Sequence, residues 1–154
     1  MKIVRTADLP WADALQRGHF SQRRKLLGGG ERLGCSLWEL APGKRSFPMH
    51  SHLVTEEALF VISGHGLVRT PEATSPIGPG DFVAFSAGGP AHQLVNDGTE
   101  PLVYVALSST VGVDVVQYAE SRKIAASIGT PPSRKQWIFR EGDQADYFDG
   151  EPGA

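Results

Sequence analysis

The chain has 154 residues, a formal net charge of −2 and 40% hydrophobic residues, which is the size and balance of one globular domain with an ordinary core. The near-neutral balance, with Arg23-Arg24-Lys25 as its one short cationic run, excludes a nucleic-acid-binding tract. No apolar stretch approaches the length of a membrane span, and the single cysteine, Cys35 in LGCSLWEL, forms no internal disulfide and reads as a small core residue.

The N-terminal segment MKIVRTADLPWADALQR lacks the apolar h-region of a secretory signal, so the expected location is the cytoplasm. Within it, Pro10 to Leu15 is expected to form one or two helical turns, with Asp8 as a possible cap. Short β-branched and aromatic runs follow: CSLWEL, ALFVIS, LVRT, DFVAF, HQLVN, LVYVALSS and VDVVQYA. The 18 glycines and 11 prolines punctuate them, a pattern that predicts an all-β sandwich or barrel. The run Leu102 to Leu107 is nearly all apolar, as expected of a strand covered on both faces. Lys123 to Ile128 suits either a short strand or a helix. From about Thr130 the chain turns Pro-, Gly- and Asp-rich but keeps Trp137, Ile138, Phe139, Tyr147 and Phe148. So many aromatics are unlike a disordered tail, and the segment is read as an extended arm packing on the barrel or on a partner subunit. The expected organisation is an N-terminal extension over 1–29, a barrel over 30–119 and a C-terminal arm over 120–154.

The chemistry is concentrated in GKRSFPMHSHLVTEEALFVISG and GDFVAFSAGGPAHQLVN. Side chains two apart on a strand share a face, so His50 and His52 converge if their segment is extended. Pro48 just before them discourages helix. Glu57 opens the run that ends at Gly64, and a hairpin-like connection through Leu53 to Glu56 would return it beside the histidines. His92 opens a later strand after a Gly-Gly-Pro turn. Three neutral imidazoles and one carboxylate suit a divalent iron, manganese, nickel, zinc or copper ion. In a five- or six-coordinate site they leave room for water or a bidentate oxygen ligand. Glu56, by alternation, points to the other face. Asn96 is read as a turn-stabilising amide, and His19 and His65 match no ligand position. Lys44 and Arg45 read as solvated strand residues, and Trp38, Phe47, Phe60 and Tyr104 as core.

These two segments resemble the two sequence motifs of the cupin superfamily. Gly43, His50, His52, Glu57 and Gly64 match the first, with one extra residue between Gly43 and His50. Gly80, Gly88, His92 and Asn96 match the second, with Ser86 at the usual proline and one residue inserted before His92. The resemblance covers roughly Leu33–Tyr118. It implies a double-stranded β-helix, a jelly-roll-like barrel, with N- and C-terminal extensions, one divalent metal on His50, His52, Glu57 and His92, and a homodimer. Pairing with a second copy would also cover exposed sheet edges. With VQYAESRK and DYFDGE, the chain is similar to small single-domain prokaryotic cupins sometimes labelled sugar-phosphate isomerases.

The expected function is that of a metalloenzyme acting on a small oxygen-rich molecule, in one reading an isomerase of a hydroxy-carbonyl compound. No glycine-rich phosphate cradle accompanies it. An isomerase needs a base, for which an unligated Glu56 is one candidate. The alternatives are an iron-dependent dioxygenase and a non-catalytic small-ligand or metal-binding module. No nucleic acid or membrane partner is expected.

Overall fold

The structure is a computed structural model that describes residues 2–109, 112–129 and 133–152. The all-β expectation holds: apart from one 3-10 turn at Thr6–Asp8, the regular elements are strands. In chain order they are β1 (Ala12–Arg17), β2 (Phe20–Gly29), β3 (Leu33–Leu40), β4 (His50–His52), β5 (Glu57–Ser63), β6 (Gly66–Arg69) and β7 (Thr74–Ile77). There follow β8 (Phe82–Phe85), β9 (Gln93–Val95), β10 (Leu102–Ser109), β11 (Val113–Tyr118), β12 (Lys123–Ile128) and β13 (Lys135–Arg140).

Three antiparallel sheets form the body. A six-stranded sheet has the order β1-β2-β3-β10-β5-β8, a four-stranded one β13-β12-β11-β4 and a three-stranded one β7-β6-β9. Arg45↔Val95 and His50↔His92 bridges join the β4 segment to the edge of the small sheet. Between the layers lies a core built on Trp38, Leu40, Leu59, Val61, Leu102 and Tyr104. Their alternation fixes the register. Leu59 and Val61 point inward from β5, opposite Ala106 and Tyr104 of β10, so Glu57 at the start of β5 also points inward. Tyr104 is buried at the middle of this layer, and burial pushes its hydroxyl far up from its ordinary pKa.

Several sequence expectations are corrected. Residues 12–17 are not helical: β1 pairs with β2, Ala12 opposite Arg24 and Arg17 opposite Phe20, and this pairing outweighs a weak local helix signal. Lys123–Ile128 resolves as a strand, held between β11 and β13. Phe60 and Phe47 are not core residues. Phe60 sits on the outer face of β5, 45% exposed, and Phe47 is 38% exposed at the barrel mouth. Trp38 and Tyr104 are buried as expected. The arm after about 130 begins among residues 130–132, which lie outside the described residues. Its continuation, β13, is an edge strand on β12 whose six residues are all exposed.

Gly64 ends β5 in the left-handed region, at φ +77°. A Cβ there would lie 2.2 Å from the Pro101 carbonyl oxygen, so only glycine fits this crossing of two backbones.

Candidate metal centre

β4 puts His50 and His52 on one face, two residues apart, because Ser51 between them turns the other way. Ser51 is opposite Gln117, while His50 and His52 are opposite Tyr118 and Val116. Glu57 reaches the same space from the other layer. The connection through 53–56 is not a hairpin, since β4 pairs with β11 and β5 pairs with β10 and β8. The chain crosses from one sheet to the other, and Glu57 meets the histidines face to face across the barrel. His92 closes the group through its backbone bridge to His50, with both reciprocal hydrogen bonds made (3.2 and 2.8 Å).

The candidate ligand atoms of His50, His52 and Glu57 all lie within 4.8 Å of one another. Glu57 Oε2 is 3.6 Å from His52 Nε2 and 3.4 Å from His92 Nε2. Two ligands on one ion, each about 2.1 Å from it, are at most about 4.2 Å apart, so the Glu57–His52 and Glu57–His92 separations already suit a shared cation. The tautomers agree. His50 Nδ1 donates to the Pro48 carbonyl at 2.8 Å, and His52 Nδ1 donates to Asp114 Oδ2 at 2.5 Å. With the proton on Nδ1, each ring keeps a lone pair on Nε2. His92 is held by stacking: the Phe85 ring lies 3.7 Å from it, nearly parallel at 9°. Its buried Nδ1 has no hydrogen-bond partner.

The electrostatics favour a cation. Burial, with the neighbouring His92, depresses the His50 pKa to about 4, so the ring is neutral at neutral pH. Burial pushes the Glu57 carboxyl up, but His92, His52 and His50 outweigh it and hold it below its ordinary value. Asp114 is likewise held low: burial opposes ionisation, and the His52 and Thr55 hydrogen bonds overcome it. Asp114 also accepts from the Val54 and Thr55 backbone N–H groups (3.2 and 3.3 Å) and from the Thr55 hydroxyl (3.0 Å). It therefore fixes the bend between the two sheets and the His52 ring together.

Of the four residues singled out by spacing, His50, His52 and Glu57 thus form one cluster, and His92 meets it through Glu57. The chemistry of the donor set, three imidazoles and an anionic carboxylate, fits a divalent transition metal. A narrow cleft with no room for a water molecule, lined by Thr55, Phe85, Ser86 and Pro90 among others, adjoins them. Glu56 is exposed and on the opposite face, so it does not supply a base to this cleft. Asn96 is fully buried and structural, donating to the Leu40 and Glu100 carbonyls at 2.9 and 2.8 Å. His19 and His65 are exposed and away from the group. Asp114, Phe85 and Tyr118 were not singled out from the sequence. The one available signal for Asp114 is a carboxylate in the inward register of VDVVQY, alternating with Val116.

A family model described as Cupin domain matches residues 36–108. No curated protein matches the chain. Among solved structures, the chain is similar to the protein called "Putative sugar phosphate isomerase" from Acidithiobacillus ferrooxidans. That pair is 28% identical over 94% of this chain and 95% of the other, with a TM-score of 0.81. A sugar phosphate isomerase from a cupin superfamily, from Silicibacter pomeroyi, is 21% identical over 96% and 98%, TM-score 0.79. A protein with a double-stranded β-helix domain from Klebsiella pneumoniae is 18% identical over 71% and 90%, TM-score 0.56. The last two likenesses concern the fold.

Proposed function

The chain is a small protein of the cupin type with a double-stranded β-helix, and on that premise we propose that it is a metal-dependent enzyme acting on a small, oxygen-rich molecule. The reaction class we favour is isomerisation of a hydroxy-carbonyl compound of the sugar kind. The observation that carries the proposal is the convergence of His50, His52, Glu57 and His92, with the His50 and His52 rings locked from behind by Pro48 and Asp114. Such locking sets ligand direction before any ion arrives. The similarity to the Acidithiobacillus ferrooxidans protein supports the reaction class.

An iron, manganese, zinc or nickel ion held there would act as a Lewis acid, polarising a substrate carbonyl. The chain supplies the rest. His50 and His52 offer Nε2 lone pairs, His92 would turn its Nε2 from Glu57 to the ion, Glu57 offers charge, and Asp114 holds the His52 ring. The Phe47 ring, edge-on to His50 at 6.0 Å, and the Phe85 ring stacked on His92 limit water beside the imidazoles.

Elemental analysis with paramagnetic resonance, on protein purified without chelator or affinity tag, tests the centre. One equivalent of a divalent transition metal is expected, falling more than about tenfold in affinity in His92→Ala. Turnover of aldose or ketose phosphates by the loaded protein, lost in His50→Ala, is expected of the isomerase. No turnover with iron, manganese, zinc or nickel sinks it, and substrate-dependent oxygen uptake on iron would assign an oxygenase instead.

We further propose a homodimer. Trp137, Ile138 and Phe139 of β13 are 49%, 54% and 52% exposed, and Phe60, Ile62 and Phe82 on the outer face of the six-stranded sheet are 45%, 48% and 63% exposed. Apolar surface of this kind on an open edge and an open face is what a second copy covers. Light scattering should give the mass of two chains, and a monomeric mass at working concentration refutes this.

A further inference from the structure

The inner face of the four-stranded sheet carries more than the two histidines. Residues directly opposite on neighbouring strands share a face. His50 is opposite Tyr118, and Tyr118 is opposite Lys123. One row toward the far end, His52 is opposite Val116 and Val116 is opposite Ala125; one row further, Asp114 is opposite Ser127. Two cations come to this face, Lys123 within the first row and Arg134, just before β13, through a hydrogen bond to the last. Lys123 Nζ lies 5.4 Å from the centroid of the Tyr118 ring, which is itself 6.3 Å from the His50 ring. Arg134 donates from its guanidinium to Ser127 Oγ at 2.7 Å. Ser127 is 4% exposed, and its hydroxyl donates to the Asp114 carbonyl at 3.4 Å. Arg134 is thus tied, through Ser127, to the residue that holds His52. Its charge also reaches the Tyr118 hydroxyl, where it opposes the rise that burial causes.

These two cations differ from Arg23, Arg69 and Arg122 in lacking a carboxylate partner among the described residues. Arg23, Arg69 and Arg122 each meet a carboxylate, at 2.7, 3.0 and 3.3 Å. Among the described residues, no carboxylate lies in ion-pair range of Arg134 or Lys123. The nearby acids, Glu57 and Asp114, are engaged with imidazoles. From β4 to β12 is two strand spacings, about 10 Å. That span suits a small molecule with oxygen atoms at one end and a negative group at the other.

We propose that Arg134 and Lys123, on either side of Tyr118, anchor a phosphate or carboxylate group of the molecule bound at the metal centre. The proposal rests on the reading of that centre given above and narrows its substrate class to anions. A guanidinium fixed in direction by a buried hydroxyl is suited to fork onto such a group. It also supplies what the sequence lacks, since no glycine-rich helix entry is present to bind phosphate.

The test uses the full chain loaded with Mn(II) and inorganic phosphate as the probe, followed by phosphorus relaxation. Saturable phosphate binding is expected, with phosphorus outside direct contact with manganese. Arg134→Gln and Lys123→Gln should each weaken it by about tenfold or more, with manganese still at one equivalent. A parallel titration with malonate distinguishes the two anions: whichever depends more strongly on Arg134 names the group. Phosphate affinity unchanged in both variants, phosphorus in direct contact with manganese in all three proteins, or no saturable binding overturns the anchor. Failure to take up manganese contradicts the metal centre instead. The anchor is then read by calorimetric titration of phosphate into the same three proteins, where dependence on Arg134 upholds it and independence overturns it.

Discussion

At the end of the barrel where β5 begins, Glu57 meets three imidazoles, and a second group fixes the direction of each ring. At the end where β5 stops, about 20 Å away by strand length, lies a larger groove of about 640 Å³ between Glu39, His65, Glu100 and the backbone around Gly64 and Gly98. Its polar side chains do not converge. Glu39 is spent on Arg23 at 2.7 Å, and the His65 ring covers Gly78, where a Cβ would lie 2.9 Å from it. Among the described residues, His50, His52 and Glu57 form the one cluster of candidate ligand atoms within 4.8 Å. Volume therefore does not locate the chemistry in this fold. Convergence of oriented polar atoms does, and the small cleft has it while the large groove does not.

If the groove end is structural, its most sensitive point is the backbone crossing at Gly64. Gly64→Ala must adopt φ +77° and place a Cβ 2.2 Å from the Pro101 oxygen. Left-handed backbone and overpacking together are expected to cost about 3 kcal/mol or more. Urea unfolding measures this, and the surviving folded fraction should still take up one metal. A loss of metal affinity without loss of stability would tie the two ends together and break the comparison.

The metal end should instead reveal itself through protons. In metal-free protein the His50 pKa is depressed to about 4 by burial and by His92. The unfolded ring titrates near its ordinary value of about 6.5. Below that value the unfolded chain binds the extra proton, so stability is full above about pH 6.5 and falls as the pH drops toward 4. The expected loss is about 3 kcal/mol. Chemical denaturation of chelated protein at a series of pH values measures it, and a flat profile across this window contradicts the buried, neutral ring. Metal, which prefers the same neutral imidazole, should move the onset to lower pH.

Asp114 gives a smaller and more specific effect. Asp114→Asn keeps the shape but removes the charge behind His52 and frees the choice of tautomer. Metal affinity should fall about tenfold, less than for loss of a ligand such as His92. Competition against a chelator of known affinity measures it. An unchanged affinity would make Asp114 a bend-stabilising residue and nothing more.

The uneven legibility of the site has physical causes. His50 and His52 were readable because spacing along one strand is local, and Glu57 and His92 because the two motifs have characteristic spacings. Asp114 lies 62 residues from His52, and its role exists only once β4 has paired with β11. The same is true of Tyr118, Lys123 and Arg134, which share a face by register alone. The strand over 12–17 was hidden for a related reason: its residues have little strand preference of their own and take their form from β2. Phe60 was misread because alternation gives two faces, and only the partner layer decides which is inside.

The smallest expected effect is also the cleanest check on alternation. Glu56 and Glu57 are neighbours of the same chemistry, yet Glu57 points between the sheets while Glu56 is exposed, its backbone N–H bonded to Ser109 Oγ at 2.9 Å. Glu57→Gln removes the anion that faces three imidazoles and should lose metal affinity outright. Glu56→Gln touches only a solvated carboxylate, so both metal affinity and stability should stay within about 0.5 kcal/mol of the parent. The same competition titration reads both variants. Equal losses in the two would mean that net charge near the mouth, not direction, attracts the metal, and the distinction drawn between the convergent and the non-convergent end would lose its basis.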